Sequence, residues 1–499
     1  MNGWLVFGVL LAGYLGLYFL LRQRQGPLPG GFEFTGPLLL WRTQLGKRTI
    51  EKVSRPHRLW NAVADVGIGL TWFMGLAVFA LLILMLVQYV TQPQESAQNA
   101  PEFRQLIGLP GVNPLIPVGY GIAALIVALV IHEGAHGVMA YVAKLRVKSL
   151  GLVFFILPIG AFVEPHDEDL MRATTRQKNR VFAAGPTSNI LLAVLAGLLL
   201  SSLFVGNMQP VNNGNGVLVI GVEEGQPAEL AGLRAADLVT HIGGRPIEDR
   251  ASFTRVLNET RSGQPVEIVY VRDGVERRTT AVPGDRYEHL RAIAPQLEGR
   301  PASEGGYNAS ERGKAYLGVY SIGLSGPASL DAMRGAIESP FSSLGAFGFY
   351  LGYPFFIFTQ GIDVMAQPWT GHFEVTGPLA GLPAPVFYGM ATFLYWVVWL
   401  NLMLGTFNAL PAGPLDGGQM FRATLSERLM RRYQVDRDRL EVERLEMGGL
   451  QLRGKDDETQ AKLDRVNAKV SRATRALGFF ILGLILLPVV APPLIQLLG

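Results

Sequence analysis

The sequence predicts a polytopic α-helical membrane protein with about six transmembrane helices, one re-entrant or interfacial segment and an inserted α+β domain. Of the 499 residues, 49% are hydrophobic and only 17% are charged, which excludes an ordinary soluble protein. Apolar runs of about 20 residues, the length that crosses a bilayer as a helix, recur along the chain. One stretch of alternating hydrophobicity interrupts them and predicts the inserted domain. The net charge of +4 does not indicate a nucleic-acid partner.

Six apolar runs are predicted to span the membrane: 3–21, 67–90, 115–143, 181–205, 386–410 and 476–498. Arg22 and Arg24 follow the first run without a small-residue cleavage site, so we expect a retained anchor. A seventh segment, 341–362, is rich in aromatic residues, glycine and proline, which favours an interfacial or re-entrant position over a plain span.

Lysine and arginine alternate between the connections. The segments 22–66, 91–114, 144–180 and 412–475 contain eight, one, seven and fourteen of these residues. The positive-inside rule assigns the basic connections to the cytoplasm, so the N-terminus, 91–114, 206–340 and the C-terminus are predicted to lie outside. If 341–362 crossed the membrane, the basic stretch 412–475 would be external, and this disfavours a crossing.

These features divide the chain into seven predicted parts. They are N-terminal transmembrane helices with a basic cytoplasmic loop (1–114), the first part of a membrane core (115–205), the inserted domain (206–290), a linker with the interfacial or re-entrant segment (291–385), the second part of the core (386–420), charged cytoplasmic helices (421–475) and a C-terminal transmembrane helix (476–499). For the charged helices a solvated face is expected, and contact with anionic lipid or a cytoplasmic partner is the alternative.

The third predicted span contains the sequence HEGAH. His132 and His136 are four residues apart and therefore share a helix face, with Glu133 beside them. Two imidazoles at this spacing can hold one Zn²⁺, and the glutamate can act as general base toward metal-activated water. A charged side chain at the bilayer centre costs about 2.5–3.5 kcal/mol on insertion scales, so the cluster requires a compensating role. The alternative is a hydrogen-bonded His/Glu cluster that packs helices together.

A hydrolytic zinc site needs a third protein ligand, and the chain has no cysteine to provide it. Asp416 is one candidate, because the prolines and glycines around it must interrupt a helix, and irregular backbone at membrane depth is tolerated where it lines a cavity. Its alternative role is to cap the following helix. The other candidates follow the third span: Glu164, Asp167, Glu168 and Asp169.

Three motifs together resemble the site-2 protease family of intramembrane zinc metalloproteases, over about residues 115–420. They are HEGAH in one span, GPTSN in the next and NALPAGPLDGG in a later one. The leading stretch 36–60 resembles archaeal members. The resemblance implies that His132, His136 and Asp416 hold one Zn²⁺, that Glu133 is the general base and that Asn408 binds substrate backbone. The family pattern NxxPxPxLDG is altered here, since the second proline falls at position 414.

Two further elements bear on substrate binding. Asn189 lies in the GPTSN motif, where an interhelical hydrogen bond is the alternative to a substrate contact. The segment 151–165 is too short and too interrupted to cross, so we expect a hairpin. In the family this place is a re-entrant β element, and a strand edge there, including Gly160, could pair with the unwound backbone of a substrate helix. A purely structural hairpin is the alternative.

The inserted domain contains GQPAELAGLRAADLVTHIGGRPI, which resembles PDZ domains of bacterial proteases. Such domains bind chain termini by strand addition, with 214–217 as the predicted carboxylate loop. The alternative is a size filter that excludes substrates with an untrimmed external domain.

The resemblance implies a zinc-dependent intramembrane endopeptidase that cleaves transmembrane segments of membrane-tethered regulatory proteins. It is expected in the cell membrane, with the PDZ-like domain external and the active site toward the cytoplasm. The expected partners are transmembrane substrates, the lipid bilayer and a peptide C-terminus at the PDZ-like domain. The main alternative is an inactive membrane scaffold that binds peptide termini. A transporter is disfavoured because paired broken-helix repeats are not evident, and a prenyl-protein protease would use a downstream glutamate as its third ligand.

Overall fold

The computed structural model describes residues 3–21, 28–98, 100–155, 157–301, 303, 305–326, 328–434 and 455–498. The chain divides into two compact units. The first comprises Met1–Leu195 and Trp396–Gly499, and the second comprises Ala196–Tyr395.

Helices account for most of the described residues. The α-helices are α1 (Gly3–Leu21), α2 (Lys47–Ser54), α3 (His57–Thr91), α4 (Pro93–Gln98), α5 (Val118–Val142), α6 (Asp167–Arg172), α7 (Thr175–Leu199), α8 (Pro227–Leu230), α9 (Arg250–Glu259), α10 (Arg286–Ile293), α11 (Leu330–Glu338), α12 (Leu344–Gln360), α13 (Ala384–Asn408), α14 (Asp416–Arg432) and α15 (Lys455–Leu498). A π-helical turn, Leu200–Phe204, extends α7. The 3-10 turns are Pro29–Gly31, Phe103–Leu106, Val205–Asn207, Asn212–Gly214, Pro295–Leu297, Ala309–Glu311, Trp369–His372 and Gly377–Leu379.

The strands within the described ranges are short. They are β1 (Phe32–Thr35), β2 (Leu38–Thr43), β3 (Val147–Phe155), β4 (Leu157–Pro165), β5 (Met208–Pro210), β6 (Val217–Val222), β7 (Leu238–Ile242), β8 (Arg245–Pro246), β9 (Val266–Arg272), β10 (Val275–Ala281), β11 (Gly284–Asp285), β12 (Ala315–Tyr316), β13 (Val319–Gly323) and β14 (Phe373–Val375).

Five helical stretches of the described chain are long and apolar enough to cross a membrane: His57–Thr91, Val118–Val142, Thr175–Asn207, Ala384–Asn408 and Thr459–Pro493. They correspond to the second through sixth predicted spans, which confirms a polytopic helical membrane protein. The first predicted span forms α1, of which Leu11–Leu21 is a shorter apolar helix. The aromatic-rich segment forms α12, whose 17 residues fall short of the roughly 20 that a simple span requires.

In the first unit, four antiparallel strands form a sheet in the order β1-β2-β3-β4. The predicted hairpin is present as β3 and β4, which pair from Val147 opposite Pro165 to Phe155 opposite Leu157. The sequence did not predict that β1 and β2 would extend this hairpin into a sheet. Strand β4 lies at the edge of the sheet and packs against α5.

Two apolar clusters hold the first unit together. One joins α5, β3 and α7, and its buried members include Val138, Met139, Leu150 and Val181. The other surrounds the segment after α13, where Leu410 and Ala412 pack with Ile481 of α15 and with side chains of α3. Because this burial fixes the chain between α13 and α14, it also fixes where α14 begins.

The second unit contains an antiparallel sheet in the order β10-β9-β7-β6-β13, with β8 paired to β7. Its core packs α9 against the sheet, with Phe253, Val256 and Leu257 from the helix buried against Ile268 of β9. This mixed arrangement confirms the predicted α+β domain. Strand β13 lies beyond residue 290, in the stretch for which a linker was expected.

Candidate metal and active site

Helix α5 presents two imidazole rings to the same point. His132 and His136 have ring centroids 4.8 Å apart at an interplanar angle of 80°. His136 Nδ1 lies 2.7 Å from the carbonyl oxygen of Val181 on α7. A carbonyl oxygen can only accept, so in the neutral ring the proton is on Nδ1 and the Nε2 lone pair is free for a metal.

The third side chain comes from the start of α14. Asp416 Oδ2 lies 3.1 Å from His132 Nε2 and 3.4 Å from His136 Nε2. Three ligand atoms at about 2.0–2.1 Å from a tetrahedral Zn²⁺ would be about 3.3 Å from one another. The donor set and its spacing therefore fit one such ion. The alternative role as a helix cap is not observed, since Leu415 occupies the N-cap position of α14.

The other acidic candidates make different contacts. Glu164 is bound by Arg42, by Lys148 Nζ at 3.0 Å and by the Ser149 hydroxyl at 2.8 Å. Asp169 accepts from the guanidinium and the backbone N–H of Arg146 at 2.8–2.9 Å, and these bonds lower its pKa well below the usual range.

The two remaining candidates do not join the cluster. Glu168 is exposed and lies 3.9 Å from Arg146, and the side chain of Asp167 is outside the described part of the structure. Asp416 is thus the acidic residue that the described structure brings to both histidines.

Glu133 is held by the edge strand of the four-stranded sheet. The backbone N–H of Val163 on β4 donates to Glu133 Oε2 at 3.1 Å. Glu133, both histidines and Asp416 line one cavity of about 400 Å³. The carboxylate therefore faces the same space as the three candidate metal ligands.

The structure brings two of the three predicted substrate-binding residues to this cavity. Gly160 of β4 and Asn408 at the end of α13 line this cavity. Asn189 is fully buried and does not. It lies where α7 approaches α13, because a Cβ at Gly405 would be 3.3 Å from its own Cβ. Neither amide atom of Asn189 has a hydrogen-bond partner among the described residues.

Comparison with known sequences assigns the family. Residues 120–440 match peptidase family M50. The chain belongs to peptidase family M50. This match covers more than half of the chain and confirms the predicted membership of the site-2 protease family.

Two curated relatives of this M50 member and one solved structure illustrate the similarity. An uncharacterized protein of Methanocaldococcus jannaschii is 30% identical over 236 residues, which is 46% of this chain and 59% of the relative. Zinc metalloprotease RasP of Oceanobacillus iheyensis is 24% identical over 261 residues, 52% of this chain and 53% of the relative. The chain thus spans little more than half the length of these relatives. The PDZ domain of the SdrC-like protein from Listeria innocua is 20% identical, with a TM-score of 0.16, over 21% of this chain and 93% of that domain.

Gly185 of this M50 member is a site residue that sequence reasoning missed. A Cβ at this position of α7 would lie 2.4 Å from His136 Nε2 and 2.6 Å from His132 Nε2. The α7 backbone therefore forms a wall of the site that leaves no room for a side chain. The signal available in the sequence was a glycine in the middle of an apolar span, which often marks a close approach between helices.

The glycines after Asp416 serve a similar purpose. A Cβ at Gly417 would lie 2.0 Å from the Ala409 carbonyl oxygen, and one at Gly418 would lie 2.4 Å from the Ala412 carbonyl carbon. The first turn of α14 can approach the preceding segment only because both residues lack side chains, and this approach positions Asp416.

The predicted carboxylate loop, 214–217, is wrong. Three of its four backbone N–H groups donate within the chain, from Gly214 to the Val211 carbonyl at 3.0 Å, from Asn215 to the Asn212 carbonyl at 3.0 Å and from Gly216 to the Glu248 carbonyl at 2.9 Å. Strand β6, which starts at Val217, has β7 and β13 as its two neighbours. The outer strands of this sheet are instead β10 and β13.

Proposed function

We propose that the chain is a zinc-dependent intramembrane endopeptidase that cleaves transmembrane segments of membrane-tethered regulatory proteins. The observation that carries the proposal is the convergence of His132, His136 and Asp416 beside Glu133, on a helix that is apolar enough to span a membrane. Membership of peptidase family M50 supports peptide hydrolysis. The name of the relative RasP, a zinc metalloprotease, supports the choice of metal.

His132 Nε2, His136 Nε2 and Asp416 Oδ2 would hold one Zn²⁺. Two imidazoles and a carboxylate are a donor set found in catalytic zinc sites, where a fourth position stays open. When bound, the ion supplies Lewis-acid polarisation of a carbonyl group and lowers the pKa of water at the open position. The cavity of about 400 Å³ beside the three ligand atoms provides room for a peptide bond at that position.

Glu133 would act as the proton-transfer group. One of its oxygens, Oε2, is engaged by the Val163 N–H, so Oε1 is left to accept a proton from the attacking water. The same carboxyl group would then give the proton to the nitrogen of the leaving amine. The bond from β4 fixes the carboxylate while this transfer takes place, which supports the assignment of the general base.

Strand β4 and Asn408 would bind the substrate backbone. A transmembrane helix hides its own amide groups, so hydrolysis requires local unwinding, and the freed groups need partners. Strand β4 is an edge strand, and its residue Gly160 lines the cavity, which supports strand addition at this edge. The side-chain amide of Asn408, in the same cavity, would bind a further backbone group.

The chain is proposed to lie in the cell membrane with the active site toward the cytoplasm and the PDZ-like domain outside. The alternation of basic connections supports this orientation. The proposed partners are transmembrane substrates and the surrounding bilayer. A peptide C-terminus is the proposed ligand of the PDZ-like domain, and the edge strand β13 supports binding by strand addition there.

The proposal is tested by cleavage of a model transmembrane substrate in detergent by the wild type and by Glu133→Gln. The variant keeps the size of the side chain and removes the base. We expect at least a hundredfold loss of cleavage with zinc content unchanged, because the metal ligands are untouched. Full proteolysis by the zinc-loaded variant would contradict the proposed mechanism.

A further inference from the structure

A second cavity lies in the first unit on the opposite face of α5 from the candidate metal site. It has a volume of about 390 Å³ and lies among α2, α3, α5 and α7. The α5 wall consists of six residues, none of which lines the candidate metal site, and Val130, Gly134 and Val138 are the three farthest around the helix from it. At about 100° per residue, these positions lie roughly 180° around the helix from the histidines. The cavity is therefore separate from the candidate active site.

The walls of this cavity are apolar and its mouth is open. Its lining includes Ile50, Val53, Val63, Ala64, Met139 and Leu191. Val53, Val130 and Leu191 are 44%, 54% and 51% exposed, so the cavity is a groove rather than a sealed void. Since α3, α5 and α7 are long and apolar enough to span a membrane, the part of the groove between them would face hydrocarbon.

The segment that forms one side of the groove is strongly basic. Residues 47–58, which form α2 and the start of α3, contain five lysines and arginines but a single acidic residue, Glu51. Lys47 is engaged by the carbonyl oxygens of Val147 and Lys148 at 2.7 and 3.0 Å. The other four cations are exposed and make no ion pair with any described residue: Arg48, Lys52, Arg55 and Arg58.

Thr49 joins the groove-lining and the basic faces of α2. Thr49, Ile50 and Val53 line the groove, and Lys52 and Arg48 lie about 60° and about 100° around the helix from Thr49. Arg48 and Lys52 are four residues apart and share a face. A ligand with an apolar tail in the groove could thus place an anionic group against both cations.

We propose that this groove binds one anionic phospholipid, with an acyl chain in the cavity and the phosphate group against Arg48 and Lys52. The uncompensated positive charge selects an anionic headgroup over a zwitterionic one, because each basic residue near a membrane surface attracts anionic lipid. An apolar peptide helix would leave these cations without partners. The lipid would pack against the back of α5, directly behind the residues that carry the metal ligands.

Trp60 provides a local probe. It lines the groove, and its indole N–H donates to the Val53 carbonyl oxygen at 2.7 Å, which holds the ring between α2 and α3. The full-length protein in detergent is titrated with phosphatidylglycerol or phosphatidylcholine brominated on an acyl chain. The Trp60 fluorescence is taken as the difference between the protein and its Trp60→Phe variant.

We expect half-quenching of Trp60 at a phosphatidylglycerol concentration at least threefold lower than that of phosphatidylcholine. Arg48→Gln combined with Lys52→Gln should abolish this preference. Arg250→Gln combined with Arg255→Gln, which removes two exposed arginines of α9 in the second unit, should retain it.

Native mass spectrometry of the same proteins provides a second readout. It should show one retained phosphatidylglycerol in the wild type and the α9 control but not in the α2 variant. Equal quenching by both lipids, or an unchanged preference in the α2 variant, would overturn the proposal. Displacement of the quencher by a hydrophobic transmembrane peptide at equal concentration would also overturn it, since the groove would then be a peptide site.

Discussion

Single atoms decide whether the candidate site can hold a metal. His132 and His136 were identifiable because four residues in a helix return to the same face. Asp416 could be ranked with other acids, but only the structure shows that its Oδ2 lies 3.1 and 3.4 Å from the two Nε2 atoms. Gly185 could not be assigned a role from sequence, since its importance depends on the distance between two helices that are separate in the chain.

Gly185→Ala should disrupt the metal site, because the added Cβ would lie 2.4–2.6 Å from both imidazoles and one side must move. We expect zinc affinity to fall at least tenfold, within the range found for disturbed ligand positioning. Zinc titration with a competing chelator measures this. Gly69→Ala is the control in another membrane helix, because nothing lies within 4 Å of its Cβ. Equal affinity of both variants and the wild type would exclude Gly185 as a positioning residue.

His372 in the second unit should make folding sensitive to acid. Only 5% of its surface is exposed, and its Nε2 has no hydrogen-bond partner among the described residues. Burial lowers its pKa, so below the unfolded-state pKa of about 6.5 the unfolded chain binds the proton more readily than the folded one. Stability is therefore expected to fall as pH decreases below about 6.5.

Between pH 7.5 and pH 5.5, the midpoint temperature of thermal unfolding should decrease less in His372→Phe than in the wild type. The same substitution at His57, which is exposed, should leave that decrease as large as in the wild type. If His372→Phe shows the same pH dependence as the wild type, the buried imidazole is not its source.

At the level of elements, the sequence predicts what is local. The hairpin of β3 and β4 follows from a segment that is too short and too interrupted to cross. The addition of β1 and β2 does not follow, since it joins strands that are about 100 residues apart and depends on register. The contact between Val163 of β4 and Glu133 of α5 depends on the same long-range packing. Strand β13 joins the sheet of the second unit from a distance in the same way, so its place in that sheet does not follow from local sequence.

The hairpin can be tested through Gly151 of β3. A Cβ there would lie 2.3 Å from the Trp41 carbonyl oxygen and 2.3 Å from the ring of Phe162, so β2 and β4 must shift in Gly151→Ala. Because β4 holds the proposed general base and the proposed metal ligands are on α5 and α14, we expect cleavage to fall at least tenfold with zinc content unchanged.

Cleavage rate and zinc content of Gly151→Ala are measured together, with Gly119→Ala as a control whose Cβ meets nothing within 4 Å. Full activity of Gly151→Ala would show that the sheet does not position Glu133.

For the whole molecule, the composition and the apolar runs were sufficient to predict a polytopic membrane protein, because about 20 consecutive apolar residues are the length of a membrane-spanning helix. The family could be assigned from motifs in three spans together. The partner surfaces were less predictable. The sequence predicts a carboxylate loop at 214–217, but three of its four backbone N–H groups donate to carbonyl groups of the chain itself. Which N–H groups remain free depends on strand pairing that local sequence does not reveal.

Helices α5 and α14 are proposed to hold one metal ion together. The most direct test is the zinc content of the purified wild type, Asp416→Ala and the control Asp169→Ala, whose carboxylate is bound to Arg146. We predict about one zinc per chain in the wild type and the control, and less than about a fifth of that in Asp416→Ala. Zinc retained at the wild-type level in Asp416→Ala would show that Asp416 is not a metal ligand and that α14 does not take part in the site.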